Sequence, residues 1–187
     1  ENPADAIMRK VIANKDNNNP EKQGPFSYDA YNKLVFTALV DSSADVSTLD
    51  SSDIRMRKFL NDQHILLMES FSERKYFGPG RDSETVKASR FSGLSNPEFV
   101  LLGTQLQSFS FYNDEVALLE TRYVSPLNDL AIRKYLFIIE DTTYIAADTV
   151  FILSFRPRTG KNFAGISGVL YINAGDWALR NVLANPV

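Results

Sequence analysis

Cysteine is absent from this sequence, and histidine occurs once, as His64. The first absence excludes disulfides, thiolate zinc sites, iron–sulfur clusters and cysteine nucleophiles. The second removes histidine-rich metal sites and histidine dyads, so no cofactor or metal is expected. Long apolar runs are missing too. Leu136–Ile139 and Val150–Leu153 fall far short of the roughly 20 residues a helix needs to span a bilayer. There is also no excess of positive charge. With 23 acidic and 20 basic side chains, a net charge of -3 and a pI near 5.2, the chain has no broad field for a phosphate polymer, and nucleic acid is not an expected partner. The chain opens at Glu1 without a methionine or a charged-then-apolar leader. It is expected to be a piece of a longer or processed protein, so a missing leader says nothing about compartment.

What is present fits one globular domain over residues 1–187, 44% hydrophobic and 12% aromatic. A chain of this size buries roughly 70% of its extended surface without a staple. Asn2 and Pro3 signal a helix start, with Ile7, Met8, Val11 and Ile12 on one face, running out at Asn17–Pro20. From Phe26 the period becomes two. Phe26, Tyr28, Ala30, Leu34, Phe36 and Ala38 share one side, and Ser27, Asp29, Lys33 and Thr37 the other. Residues 41–53 are serine- and aspartate-rich and read as a mobile loop, followed by a helical turn through Ile54, Phe59 and Leu60. Ile65, Leu67, Phe71 and Phe77 share a parity in a partly two-sided strand that stops at Gly78-Pro79-Gly80, with Thr85–Phe91 as its hairpin partner. Asn96 and Pro97 repeat the cap signature before Phe99, Leu102, Leu106 and Phe109, which predicts a second helix. Residues 110–130 have no clean period. Tyr135–Glu140, Thr149–Arg156, Gly168–Asn173 and Trp177–Ala184 predict a four-strand antiparallel meander.

The catalytic near-motifs fail at named positions. His64 lacks an evident serine and carboxylate, which leaves a hydrolase centred on it as the weakest reading. Gly165-Ile166-Ser167-Gly168-Val169 places a glycine one position too early for a nucleophile elbow. Around Thr159-Gly160-Lys161, Phe155 stands where a phosphate loop needs its first glycine, and Asn162 where it needs serine or threonine. A solvated hairpin connection explains that segment better. A residual reading lets Arg156, Arg158 and Lys161 touch lipid phosphates or an acidic partner. Glu69 and Glu73 lie roughly 13 Å apart along an extended strand, too far for a glycosidase pair. The 41–53 segment lacks the ligand order of a calcium hand.

Aromatic residues are the remaining excess: 13 Phe, 8 Tyr and 1 Trp. Parity places Phe26, Tyr28, Phe36, Phe151 and Phe155 on inner faces. They either fill a core or, where helices cover the sheet only partly, line an apolar groove.

The last segment carries a likeness: Asp148-Thr149-Val150-Phe151-Ile152-Leu153-Ser154-Phe155-Arg156-Pro157, then Phe163-Ala164-Gly165-Ile166-Ser167-Gly168-Val169-Leu170-Tyr171-Ile172-Asn173, then Asp176-Trp177-Ala178-Leu179. With the capped helix and long strands, it resembles the periplasmic lipoprotein-carrier fold, which implies an α+β fold. In it a curved antiparallel sheet forms an incomplete barrel against two or three helices and ends in the meander. Asn2-Pro3-Ala4, Asn19-Pro20-Glu21-Lys22, Phe26-Ser27-Tyr28-Asp29-Ala30-Tyr31-Asn32-Lys33, Leu67-Met68-Glu69-Ser70, Ser72-Glu73-Arg74-Lys75 and Gln107-Ser108-Phe109-Ser110-Phe111 resemble an uncharacterised domain family of Bacteroidetes-type envelope proteins. There the domain lies between a carboxypeptidase-regulatory-like sandwich and an outer-membrane β-barrel.

That resemblance implies a periplasmic location, attached to the outer membrane through the full-length protein. It implies no catalytic residue. The expected function is a non-enzymatic domain that binds an apolar ligand, a lipid or lipoprotein segment, or a neighbouring domain of the same protein on the concave sheet face. The alternative is a structural spacer whose inner face is filled by its own side chains.

Overall fold

The computed structural model describes residues 2–36, 66–93, 109–118, 121–160 and 162–187. The chain divides into two compact units, Glu1–Gly24 with Ser108–Val187, and Pro25–Gln107. The expected loop at 41–53, the turn at 54–60, His64, Lys161 and the second helix, apart from Phe109, lie outside the described residues. The fold is α+β, with mostly antiparallel strands and few helices. Where one curved sheet was expected, the described strands form sheets of three, two and four strands, and no closed barrel. Within each sheet, strands consecutive in sequence are neighbours, most of them across short connections; the exception is Phe26–Phe36 with Leu66–Tyr76, which residues 37–65 separate in sequence.

In the first unit, helix α1 spans Pro3–Ala13. The Asn2 side-chain Oδ1 accepts from the Ala4 N–H at 3.1 Å, and its Nδ2 donates to the Phe137 carbonyl at 2.7 Å. One side chain thus caps the helix and ties its start to a strand. Pro3 takes the first helical position, and Asp5 favours the positive helix end. Ala4, Met8 and Val11 are fully buried, with Ile7 and Ile12 packed beside them. Two short helices follow, α2 (Lys15–Asn18) and α3 (Pro20–Gln23). In α3, Asn19 Oδ1 accepts from the Glu21 N–H at 3.0 Å, repeating the cap-plus-proline device where the sequence suggests only a helix running out.

The four-strand antiparallel order is as expected, but the first strand runs past Glu140 to Ile145 and the last starts at Leu179 rather than Trp177. Strands β6 (Tyr135–Ile145), β7 (Asp148–Pro157), β8 (Ile166–Asn173) and β9 (Leu179–Pro186) pair antiparallel in sequence order. Register places Phe137 beside Phe155, and Leu153 beside Leu170. These side chains meet Met8, Val11, Leu127 and Ala131 in one core. Gly168 is required by close approach: a Cβ there would stand 1.9 Å from the Leu183 carbonyl oxygen on β9.

Ahead of the meander lie a hairpin, β4 (Glu115–Leu118) and β5 (Thr121–Val124), and the one-turn helix α4 (Ala131–Lys134). Buried Ser125 closes the connecting turn. Its hydroxyl donates to the Phe111 carbonyl at 2.6 Å and accepts from the Leu127 N–H at 3.1 Å.

The second unit contains β1 (Phe26–Phe36), β2 (Leu66–Tyr76) and β3 (Asp82–Gly93), antiparallel in that order. The expected glycine turn joins β2 to β3, with Gly78 at φ 133° and Gly80 at φ 67°. In β2 the buried positions are Met68, Ser72 and Tyr76, whereas Phe71 is 39% exposed. The strand therefore hides the parity opposite to the one its apolar pattern marked. Neighbours on that face account for this. The Phe26 ring stacks on Tyr76 at 5.1 Å, and the Ser72 hydroxyl donates to Glu84 at 2.5 Å, so longer side chains roof over a serine. Phe71 pairs with Ala88 and Ser72 with Val86, which leaves Lys87 as a bulge residue on edge strand β3. A lysine in an edge bulge is a common device against pairing with another chain.

Candidate functional site

The residues expected to line one concave face fall in different sheets and different units. Phe155 is 2% exposed in the core of the first unit. It contacts Tyr135 edge-on at 5.8 Å and Phe137 at 6.4 Å. Phe151 is half-buried and stacks on Trp177 at 6.2 Å, while the Lys10 ammonium lies 4.6 Å from the centre of the same indole. Held between them, Trp177 adopts φ 60°, a conformation a bulky residue keeps only where its surroundings dictate it. The inner face of the meander is therefore filled by the chain itself. Phe26, Tyr28 and Phe36 all lie on β1 of the second unit, where Phe26 also stacks on Tyr28 at 5.9 Å.

The three cations expected to act together are not brought together among the described residues. Arg156 is exposed on β7. Arg158 is engaged within the fold: its Nε donates to the Ile132 carbonyl at 3.2 Å, and its Nη2 lies 3.8 Å from Asp5 Oδ2. Lys161 lies outside the described residues.

The perturbed titratable groups of the first unit hold structure. Burial pushes the Tyr135 phenol up to about 12, partly opposed by the hydrogen bond from the Ile166 N–H. Its hydroxyl donates to the Val124 carbonyl at 2.6 Å. Burial alone would lower Lys15, but hydrogen bonds to Asp129 at 2.6 Å and Asp114 at 3.1 Å outweigh it and hold the ammonium above its ordinary value. The lysine clamps α2 to two segments of its own unit. Burial also raises Tyr112, whose oxygen accepts from the Leu179 N–H at 3.0 Å. Together with the Asn181 side chain, which accepts from the Val182 N–H at 2.9 Å, it caps amides of β9 beside a depression of about 290 Å³. No group of three or more metal-ligating side chains occurs among the described residues.

The second unit presents a different kind of surface. Tyr31 on β1 lies directly opposite Phe71 on β2, and the next rung carries Lys33, Glu69 and Arg90 across the three strands. Tyr31 is 61% exposed, and its hydroxyl donates to Glu69 Oε1 at 2.6 Å, the contact that raises its phenol above the ordinary value. On the other side of Phe71, the bulged Lys87 reaches across the sheet to Glu73 at 3.5 Å and Asp29 at 3.4 Å, 5.9 Å from the Phe71 ring centre. Between these rungs lies a shallow depression of about 180 Å³ lined by Tyr31, Glu69, Phe71 and Arg90. Sequence reasoning passed over Tyr31 and weighed Glu69 only as half of a carboxylate pair. The available signal was an aromatic residue on the polar side of an alternating strand.

From residue 7 to residue 184 the chain matches the family described as Family of unknown function (DUF5686). No curated protein and no solved structure matches it.

Proposed function

We propose the following for this chain, which belongs to that family of unknown function. It is a non-enzymatic periplasmic domain of a larger outer-membrane protein, in which the first unit acts as a structural spacer next to neighbouring envelope domains. The observation that carries this reading is the filled inner face of the meander. Phe155 sits at 2% exposure among Tyr135, Phe137, Leu153 and Leu170, the chain's own side chains taking the place a lipid chain would occupy. The likeness to lipoprotein carriers is kept as a proposal about the meander alone, four consecutive strands with α1 against their inner side.

Native mass spectrometry of the purified chain, with displacement of a lipid-sensing dye, tests the reading. The expected outcome is an apo mass and no competition by added lipid. A co-purified lipid that is lost in Phe151→Ala would overturn it and restore an apolar ligand site.

A second reading is favoured by one observation. In the second unit Tyr31, Val86 and Phe91 are 61%, 60% and 42% exposed, so contact with a ligand or partner belongs to that sheet. His64→Ala, assayed for hydrolysis, is expected to change nothing; lost activity would favour the hydrolase alternative.

A further inference from the structure

We propose that the Tyr31–Phe71 face of the three-stranded sheet binds a neutral carbohydrate chain, the two rings serving as stacking platforms and Glu69 and Arg90 as hydrogen-bonding partners for hydroxyls. This goes beyond the spacer reading and does not rest on it. Tyr31 and Phe71 are cross-strand partners on one face, 61% and 39% exposed. Both rings therefore offer surface to solvent at adjacent positions. The hydrogen bond from the Tyr31 hydroxyl to Glu69 Oε1 at 2.6 Å fixes the tyrosine ring toward the neighbouring rung. The second carboxylate oxygen of Glu69 remains an acceptor with two lone pairs. Arg90 occupies the facing position on β3, is exposed, and presents a fork of donors.

Charge selects the class of ligand. Glu69 and Arg90 oppose each other, and beyond Phe71 the acids Asp29 and Glu73 are matched by Lys87 and Lys75. Lys33 adds a cation on the far side of Glu69, and among the described residues both signs are interspersed around the rings, with no field of one sign to draw in an anion or a cation. An apolar ligand would gain the aromatic surface but leave the Glu69 and Arg90 groups desolvated without partners. A pyranose satisfies both demands. Its C–H face lies on an aromatic ring, and its equatorial hydroxyls donate to a carboxylate and accept from a guanidinium. The depression, about 180 Å³, is smaller than the roughly 300–1,000 Å³ of pockets that enclose a small molecule. It therefore suits one ring of a chain lying across the sheet rather than an engulfed monomer.

The test is calorimetric titration of the whole chain with maltohexaose, cellohexaose, mannohexaose and chitohexaose, alongside polygalacturonate and phosphatidylglycerol vesicles. At least one neutral hexasaccharide is expected to bind with a Kd of about 1 mM or tighter. Tyr31→Ala is expected to weaken it about tenfold and Glu69→Gln several-fold, with unchanged melting temperatures. Tyr31→Phe keeps the ring and retains most of the affinity, which separates stacking from a folding defect. Binding by none of the four hexasaccharides overturns the proposal. So does binding that Tyr31→Ala and Phe71→Ala both leave intact, or vesicle or polygalacturonate binding that displaces the hexasaccharides as the preferred partner.

Discussion

The two units use the same raw material, strands with aromatic residues at alternate positions, and put it to opposite ends. In β7 and β8, Phe155, Leu153, Leu170 and Ile172 vanish from solvent beneath α1 and the Leu127 turn. Along β3 every described side chain is exposed, and in β2 Phe71 faces water. Among the described residues the difference lies in the second layer. A sheet hides a face only when something packs on it, and in the first unit the capped helix α1 supplies that cover. Apolar alternation therefore marks which residues share a face. Whether that face becomes core or binding surface is decided by what the chain lays over it.

Substitutions can break this contrast. The largest expected effect is at Phe155, where Phe155→Ala removes a buried ring and costs about 3–5 kcal/mol in denaturant unfolding. The matched change in the other unit, Phe71→Ala, costs under about 1 kcal/mol, because a partly exposed ring leaves little cavity. Equal costs would erase the distinction. Gly168→Ala forces a methyl group against the Leu183 carbonyl and is expected to cost about 3 kcal/mol, read as a lowered melting temperature.

Tyr135→Phe leaves the Val124 carbonyl and the Ile166 N–H without their buried partner and costs about 1–2 kcal/mol at neutral pH. It also changes the pH response. The phenol titrates near its ordinary value of 10.0 in the unfolded chain and at about 12 in the fold, so the unfolded chain releases its proton first. The stability tied to this group is complete below pH 10.0 and is lost as pH rises toward 12. Tyr135→Phe should flatten that alkaline loss, and a parallel pH curve for the two proteins would contradict the assignment. Within the first unit the smallest of these effects is that of Asn2→Ala, about 1 kcal/mol, from loss of the α1 cap and its tie to Phe137.

Much of the local structure was legible in the sequence, and the reasons are specific. Asn2-Pro3 announces α1 because a side-chain acceptor and a residue without an N–H suit a helix start. The four final strands follow one another across brief connections rich in turn residues, so sequence neighbours are sheet neighbours. The β2–β3 hairpin followed from Gly78-Pro79-Gly80.

The buried parity of β2 is not legible, because Ser72 is tied to Glu84 of β3 and Tyr76 is stacked on Phe26 of β1, a consequence of register rather than of the strand's own polarity pattern. The hairpin β4–β5 is hard to read because Val116 alone is buried among its described residues, too little for a period. Asn19-Pro20 carries the α1 signature, but the helix it starts is only four residues long, with Gly24 and Pro25 leading into β1, too short to show an apolar period. The candidate site was the least legible part. Tyr31, Glu69, Phe71 and Arg90 come from three strands, and their meeting depends on a register that includes the Lys87 bulge.

The most direct test of the contrast between a filled unit and an open sheet is amide hydrogen exchange on the intact chain. The account predicts slow exchange across β7 and β8, approaching the global unfolding limit, and exchange faster by orders of magnitude along β3. Comparable protection of β3 and β7 would contradict it, because the three-stranded sheet would then be as deeply covered as the meander core.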